Sequence, residues 1–186
     1  FLKNSKDSIK VAQLAGFVAE KTNYHHGEQN LSETITKLAQ DFVGSNNIPY
    51  LQKDGQFGTR LLGGKDAASA RYIFTKLNEV SNIIFNKNDN FQLNFLNDDG
   101  FPIEPEFYIP ILPMLLINGS EGIGSGYSTF IPKFKLSDIK NTFLNKLKND
   151  KFLNIEPGFE NFTGKVIKLD KLKYQTFGTY KLEKER

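Results

Sequence analysis

An arginine followed directly by a tyrosine, Arg71 and Tyr72, combines two residue types suited to attack on a phosphodiester. A phenol has a reference pKa of about 10, so it is a poor nucleophile at neutral pH without help. A neighbouring guanidinium favours the phenolate and also binds the phosphate being attacked. The alternative interpretation is a packing tyrosine with a solvated hydroxyl, which is the common role of this residue.

The segment before this pair is rich in glycine and carries a local excess of positive charge. Between residues 53 and 76 the acidic residues are only Asp54 and Asp66, and the basic residues are Lys53, Arg60, Lys65, Arg71 and Lys76. A phosphate contact needs such a concentration of charge. The segment is not a P-loop, because Thr59 stands at the first glycine position and Asp66 follows the lysine.

Two further short motifs combine residues that could act on a nucleic acid. His25 and His26 precede Glu28 without the HExxH spacing or a third ligand nearby, so they indicate a polar turn or imidazole donors facing a phosphate. In "GIGSG", residues 122–126, the GxGxxG spacing of a dinucleotide loop is absent. Ile123 would either anchor a glycine turn in the core or act as a wedge between base steps.

Two amphipathic helices are predicted upstream of the basic segment. Apolar periodicity predicts a first helix over about 8–22, capped by Asp7 or Ser8. A second helix is predicted in "NLSETITKLAQDFVGS", residues 30–45, with Ser32 as the N-cap and Gly44 as the stop signal. Two helices separated by a short polar turn form a helix-turn-helix.

The rest of the chain predicts a wing and then a mixed region. The pair Asp54-Gly55 is typical of a hairpin turn. A helical period resumes over 71–84, and turn residues occupy 97–100. A helix in residues 135–150, capped by Ser137 or Asp138, precedes two or three short strands within 162–183. These elements predict an α+β fold.

Composition sets outer limits on the function. The net charge of +3 does not by itself indicate nucleic-acid binding, and the absence of cysteine among 186 residues excludes disulfides, thiol catalysis and zinc–thiolate sites. No window approaches the run of about 18 apolar residues needed for a membrane span, so no membrane partner is expected. Both ends look like positions within a longer chain, and we expect this sequence to be part of one.

Five motifs together resemble the DNA breakage–rejoining region of type IIA DNA topoisomerases, in the form found in eukaryotes and large DNA viruses. They are "KVAQLAGFVAE", "YHHGEQ", "AQDFVGSNN", "GQFGTRLLGGKDAASARYIFT" and "INGSEGIGSGYS". The resemblance runs from about residue 8 to 134. It implies a winged-helix domain over 1–108, followed by the beginning of a tower domain over 109–186. Ala70 and Tyr127 stand where many members have proline and tryptophan.

The resemblance also implies roles for the residues that can do chemistry. Tyr72 would be the active-site tyrosine that becomes linked to the 5′ end of a broken DNA strand, and Arg71 would stabilise the transition state. His26 would contact the region of the scissile phosphate, with His25 as its companion.

Further implied contacts with DNA come from three residues. Gln40 would lie on a DNA-facing helix, Lys65 would approach the backbone, and Ile123 would intercalate and bend the duplex. The implied partners are double-stranded DNA and a second protomer in a homodimer. Mg²⁺ and ATP would bind the full-length enzyme outside this chain, which is expected to lack a metal site and to be inactive alone. The implied location is the nucleus, or the cytoplasm for a viral protein.

Two other functions remain open on the residues alone. A non-catalytic winged-helix module would bind DNA while Tyr72 only packs. A phosphohydrolase would use His25, His26 and a metal ion.

Overall fold

A computed structural model describes residues 7–183, and the chain divides into two compact units, residues 1–114 and 115–186. Helices and antiparallel strands are interspersed in both units, so the predicted α+β class is confirmed. The division falls after residue 114, and the domain boundary predicted at 108 stays a prediction.

Two helices begin the first unit, and both have different bounds from those predicted. Helix α1 is Val11–Thr22, because Ile9–Lys10 form a short strand, β1, and Lys10 takes the N-cap position. Helix α2 is Glu28–Ala39, with Gly27 at the N-cap. The predicted caps at Asp7, Ser8 and Ser32 were therefore wrong. Gly44 was also not the stop, since Gln40 is already extended.

A three-stranded antiparallel sheet, in the order β1-β3-β2, follows the helix pair. Strand β2 is Leu51–Asp54 and strand β3 is Phe74–Leu77. Asp54-Gly55 does not close a two-residue hairpin, because residues 55–73 form a long loop between the paired strands. The helix predicted over 71–84 was wrong for its first half: β3 takes ladder bonds on both edges, and helix α3 begins only at Glu79.

The first unit ends with helix and hairpin elements. Helix α3, Glu79–Ile84, is capped by Asn78, whose side chain accepts the Val80 N–H at 3.3 Å. A 3-10 helix, Lys87–Gln92, precedes a hairpin of strands β4, Phe95–Asp98, and β5, Phe101–Pro105. The connecting residues Asp99 and Gly100 both have positive φ, as a type I′ turn requires, which confirms the turn predicted at 97–100.

The second unit contains two hairpins and one long helix. Helix α4 is Met114–Ile117, and a hairpin follows with strands β6, Ser120–Gly124, and β7, Tyr127–Ile131. Helix α5, Leu136–Asn149, begins after Lys135, so Ser137 and Asp138 lie inside it. Strands β8, Lys165–Asp170, and β9, Lys173–Phe177, form the last hairpin.

The apolar core of the first unit lies where the helix pair meets the loop and the sheet. Its buried members come from α1, α2 and the long loop: Val11, Ala15, Leu31, Ile35, Ala39, Phe57 and Ile73. Phe57 and Ile73 anchor the two ends of the long loop in this core. The loop between them is therefore held at both ends. Among residues 7–183, no helix has the length and apolar character that crossing a membrane would take.

Candidate nucleic-acid interface

Arg71 and Tyr72 project outward from a segment whose neighbours are buried. Ile73 is fully buried in the core and Ala70 packs partly against it, whereas Tyr72 is 71% exposed. A tyrosine in an apolar interior could not reach a phosphate. The observed exposure therefore leaves the Tyr72 hydroxyl available to an external ligand.

The backbone around this pair is bonded to the start of helix α1. The first N–H groups of a helix have no partner within the helix. Val11 N–H donates to the Ile73 carbonyl and Ala12 N–H donates to the Ala70 carbonyl, both at 3.0 Å. Tyr72 N–H donates to the Ser69 carbonyl at 2.8 Å, forming a tight turn. The tyrosine backbone is thus bonded on both sides of its own position.

Asp66 organises the glycine-rich loop from within. Its carboxylate accepts the Thr59 backbone N–H and the Thr59 hydroxyl, each at 2.8 Å. The hydrogen bond from the Thr59 backbone lowers the pKa of Asp66 below its ordinary value. The only acidic residue of the loop between β2 and β3 therefore keeps its negative charge, and its carboxylate closes the loop through Thr59.

Glycines let two parts of the loop approach each other closely. A Cβ at Gly58 would lie 2.5 Å from the Gly64 Cα, and a Cβ at Gly64 would overlap the amide of Gln40. Both glycines also have positive φ, which side chains with a Cβ rarely adopt. Position 58 and position 64 therefore require glycine for space as well as for conformation.

Gln40 supports the loop from below. The residue is only 7% exposed, and its Nε2 donates to the Phe57 carbonyl at 2.8 Å and to the Gly64 carbonyl at 3.4 Å. Asn46 holds the turn after α2 by donating to the Lys37 and Gln40 carbonyls. In this arrangement Gln40 positions the loop. The direct DNA contact predicted for it stays a prediction.

A groove of about 870 Å³ runs between one face of α2 and the loop. It brings together three of the predicted site residues, Gln40, Lys65 and Arg71. The facing surface of α2 contributes Glu28, Gln29, Ser32, Glu33, Thr36 and Lys37. Backbone from Gly63 and Gly64 forms part of the wall, so a ligand can approach the main chain there.

The cations of the loop and of the strand before it differ in whether they already form an ion pair. Lys53 forms an ion pair with Asp41. Arg60, Lys65 and Arg71 are exposed, and no ion pair found within residues 7–183 includes them. These three side chains can therefore neutralise an external anion.

The two histidines lie in the turn between α1 and α2, and each makes a contact outside the groove. His26 makes an edge-to-face contact with Tyr24, with ring centroids 5.4 Å apart. His25 Nε2 lies 3.6 Å from a carboxylate oxygen of Asp98, which also accepts the Asn23 amide. Both imidazoles are exposed, and the end of strand β4 holds the turn that carries them.

Ile123, in the second unit, is 88% exposed near the tip of the β6–β7 hairpin. The predicted glycine-rich loop is therefore a hairpin with a Ser125-Gly126 turn. The interpretation of Ile123 as a core anchor was wrong, since the side chain is in solvent. The exposure leaves the wedge interpretation, which remains a prediction.

Among residues 7–183, no group of three or more histidine, aspartate or glutamate side chains is arranged to hold a metal ion. In particular, His25 and His26 are not joined by a third ligand in that range. The residues that the sequence did not identify are structural supports: Asp98, Asn23 and the Thr59–Asp66 pair. Of these, only the Thr59–Asp66 pair could have been found from the sequence, because a hydroxyl and an acid flank the glycine-rich segment.

An exposed Arg-Tyr pair lies near a groove that both acidic and basic side chains line, on a helix pair packed with a small sheet. The whole chain, residues 1–186, matches the model of a family that comprises the A subunits of DNA gyrase and topoisomerase IV. The chain therefore belongs to this family of type II topoisomerases, as the motifs predicted.

Two relatives with similar sequences come from eukaryotes. The chain is 52% identical over 183 residues to "DNA topoisomerase 2, mitochondrial" of Dictyostelium discoideum, covering 98% of this chain and 14% of the relative. It is 48% identical to DNA topoisomerase 2 of Saccharomyces cerevisiae, covering 96% of this chain and 12% of the relative.

A solved structure supports the same assignment. The DNA-binding, cleavage and re-ligation domain of Plasmodium falciparum topoisomerase II matches with a TM-score of 0.92 and 46% identity. The match covers 97% of this chain and 25% of that one. The chain thus spans only a small part of the proteins that it resembles.

Proposed function

We propose that this chain is the part of a type II DNA topoisomerase that contains its nucleophile, and that Tyr72 attacks a backbone phosphate of duplex DNA. The observation that carries the proposal is the exposed Tyr72 side chain beside exposed Arg71, on a backbone bonded to the start of α1. The match to the Plasmodium cleavage domain supports it.

The proposed reaction exchanges one phosphodiester for another. The Tyr72 oxygen forms a bond to phosphorus, the bond from phosphorus to the 3′ oxygen breaks, and the proton lost by the phenol is balanced by one gained at the 3′ oxygen. The DNA is left linked to Tyr72 through its 5′ phosphate. Because bond types are conserved, the step is reversible, and positioning with charge stabilisation supplies most of the rate.

The surrounding residues have proposed roles, which the family resemblance implies. Arg71 stabilises the charge that develops on the phosphate, because it is exposed and adjacent to the nucleophile. Lys65, on the rim of the groove, binds the DNA backbone. His26, with His25 beside it, contacts the scissile region, and Gln40 acts on the DNA side of α2 through the loop that it holds.

Further properties are proposed for the full-length protein and for the division of this chain into domains. One tyrosine cuts one strand, so a double-strand break requires a homodimer. Mg²⁺ and ATP are proposed to bind elsewhere in the protein and to support cleavage and duplex passage. Residues 1–108 and 109–186 are proposed as the winged-helix domain and the start of the tower. The nucleus is the proposed location, with the cytoplasm as the alternative for a viral protein.

The first test is Tyr72→Phe in the full-length protein, with covalent protein–DNA adducts measured after denaturation. Phenylalanine keeps the ring but removes the attacking oxygen, so adducts should disappear while DNA affinity is retained. The matched control is Tyr180→Phe, another tyrosine with an exposed side chain, which should leave adduct formation unchanged. Adducts persisting in Tyr72→Phe would instead favour a winged-helix module in which Tyr72 has no chemical role.

A further inference from the structure

The three glycines at the tip of the β6–β7 hairpin have three different environments. Gly126 has a φ of +83° and makes the turn. A Cβ at Gly122 would meet no atom within 4 Å. A Cβ at Gly124 would lie 2.8 to 3.1 Å from three ring atoms of Tyr127, and Gly124 is not one of the glycines with positive φ. The Tyr127 ring therefore covers Gly124, and a Cβ at this position would displace the ring.

The pairing register places this ring behind the exposed isoleucine. Residues directly opposite each other in an antiparallel pair share a face, and successive residues alternate between faces. Ile123 is opposite Ser128, and Gly124 is opposite Tyr127. The Ile123 side chain therefore projects from one face of the hairpin tip, and the Tyr127 ring lies across the other.

A wedge needs a stiff support. Unstacking a base step costs a few kcal/mol, and an isolated two-stranded hairpin is only marginally stable. An aromatic ring that covers a glycine on the opposite strand pins the register of the pair. The Tyr127 ring does this at the last pair before the turn, next to the pair that contains Ile123.

We infer that Tyr127 is a positioning residue that braces the hairpin tip, so that Ile123 is presented to duplex DNA as a rigid wedge. This inference rests on the proposed function of Ile123. The ring face that covers Gly124 stabilises the hairpin tip, and the Tyr127 hydroxyl is not needed for this. Tryptophan or phenylalanine at position 127 would therefore serve equally.

The test measures DNA bending by energy transfer between dyes at the two ends of a duplex, using the full-length protein. Tyr127→Ser and Gly124→Ala should reduce the bent fraction about as much as Ile123→Ala does. Tyr127→Phe and Tyr127→Trp should bend normally. Affinity should change by less than about twofold throughout, because phosphate contacts elsewhere supply most non-specific binding.

Gly122→Ala is the matched control, since its new Cβ meets open space in the same strand. Hydrogen exchange of residues 118–132 without DNA provides a second measurement: it should rise in Tyr127→Ser and Gly124→Ala and stay unchanged in Gly122→Ala. Equal loss of bending in Tyr127→Phe and Tyr127→Ser would assign the effect to the hydroxyl and overturn the inference.

Two further outcomes separate this inference from the proposal beneath it. If Ile123→Ala reduces bending while Tyr127→Ser and Gly124→Ala do not, the wedge stands and the brace is wrong. If Ile123→Ala leaves bending unchanged, both wedge and brace are wrong. The adduct test on Tyr72 still decides the topoisomerase assignment independently.

Discussion

Asp66 shows how a single carboxylate can hold a glycine-rich loop closed. Its carboxylate accepts two hydrogen bonds from Thr59 and closes the loop, and it keeps its negative charge because the donors are neutral. Sequence alone indicated only that an acid was present. The hydrogen-bond partner of this carboxylate could not be predicted. Thr59 is seven residues away in sequence and becomes adjacent to Asp66 only when Gly58 and Gly64 meet.

The hydrogen bonds to Asp66 predict an acid-dependent opening of the loop. A carboxyl whose folded pKa lies below its unfolded value stabilises the fold fully above the unfolded value, here near 3.8, and loses that contribution as pH falls through the lower folded pKa. Hydrogen exchange of residues 56–68 in the full-length protein, corrected for intrinsic rates, should therefore rise below about pH 3.8.

The matched variant for that experiment is Asp66→Asn, which keeps an acceptor but removes the ionisation. Its exchange should be faster at neutral pH and should lose the acid-dependent rise. An unchanged rise in this variant would assign the acid effect to another group.

At the scale of elements, sequence periodicity predicted the helix pair but not its bounds. The apolar stripe of α2 extends to Phe42 and Val43 in sequence, whereas the helix ends at Ala39 because Asn46 binds its last carbonyls. Strand β3 was mistaken for helix, because the buried residues here, Ile73 just before the strand and Thr75 within it, alternate only over a short span. Long-range pairing with β1 and β2 decides this segment, and such pairing leaves no local signal.

The packing of the loop on α2 predicts that its glycines are not equivalent. Gly64→Ala places a Cβ on the Gln40 amide and should break the bonds to the Phe57 and Gly64 carbonyls. A buried acceptor left without its donor costs about 1–3 kcal/mol. Hydrogen exchange at residues 57–64 of the full-length protein should increase accordingly.

Gly63→Ala is the control for backbone strain alone. Gly63 also has positive φ, but its added Cβ would meet nothing within 4 Å. Both variants share a left-handed penalty of roughly 1–2 kcal/mol, so only the excess in Gly64→Ala reports the lost Gln40 contacts. Equal exchange in the two variants would mean that Gln40 does not support the loop.

For the whole molecule, the distribution of charge matters more than the total. The net charge of +3 is small, but Arg60, Lys65 and Arg71 are exposed on one loop while Lys53 is paired. The sequence showed this concentration of cations. Only the structure separates the paired lysine from the available ones, because Asp41 is remote from Lys53 in sequence.

This distribution predicts the salt dependence of DNA binding. If Lys65 contacts one phosphate, Lys65→Ala in the full-length protein should lower the slope of log affinity against log salt by about 1. The control, Lys53→Ala, removes a lysine of the same segment that Asp41 already neutralises, and should change the slope less. Identical slopes for Lys65→Ala and the unmodified protein would exclude a phosphate contact at this residue.

The hydrogen bonds from Val11 and Ala12 to the carbonyls of Ile73 and Ala70 also have a mechanical consequence. A DNA end attached to Tyr72 would pull on a backbone that continues into β3, the central strand of its sheet. The hydrogen bonds of β3 to β1 and β2, together with those from the start of α1, would then share the tension in shear. A DNA end attached there would be tethered to backbone that hydrogen bonds to α1 and the sheet hold on both sides, which would limit its movement relative to the first unit.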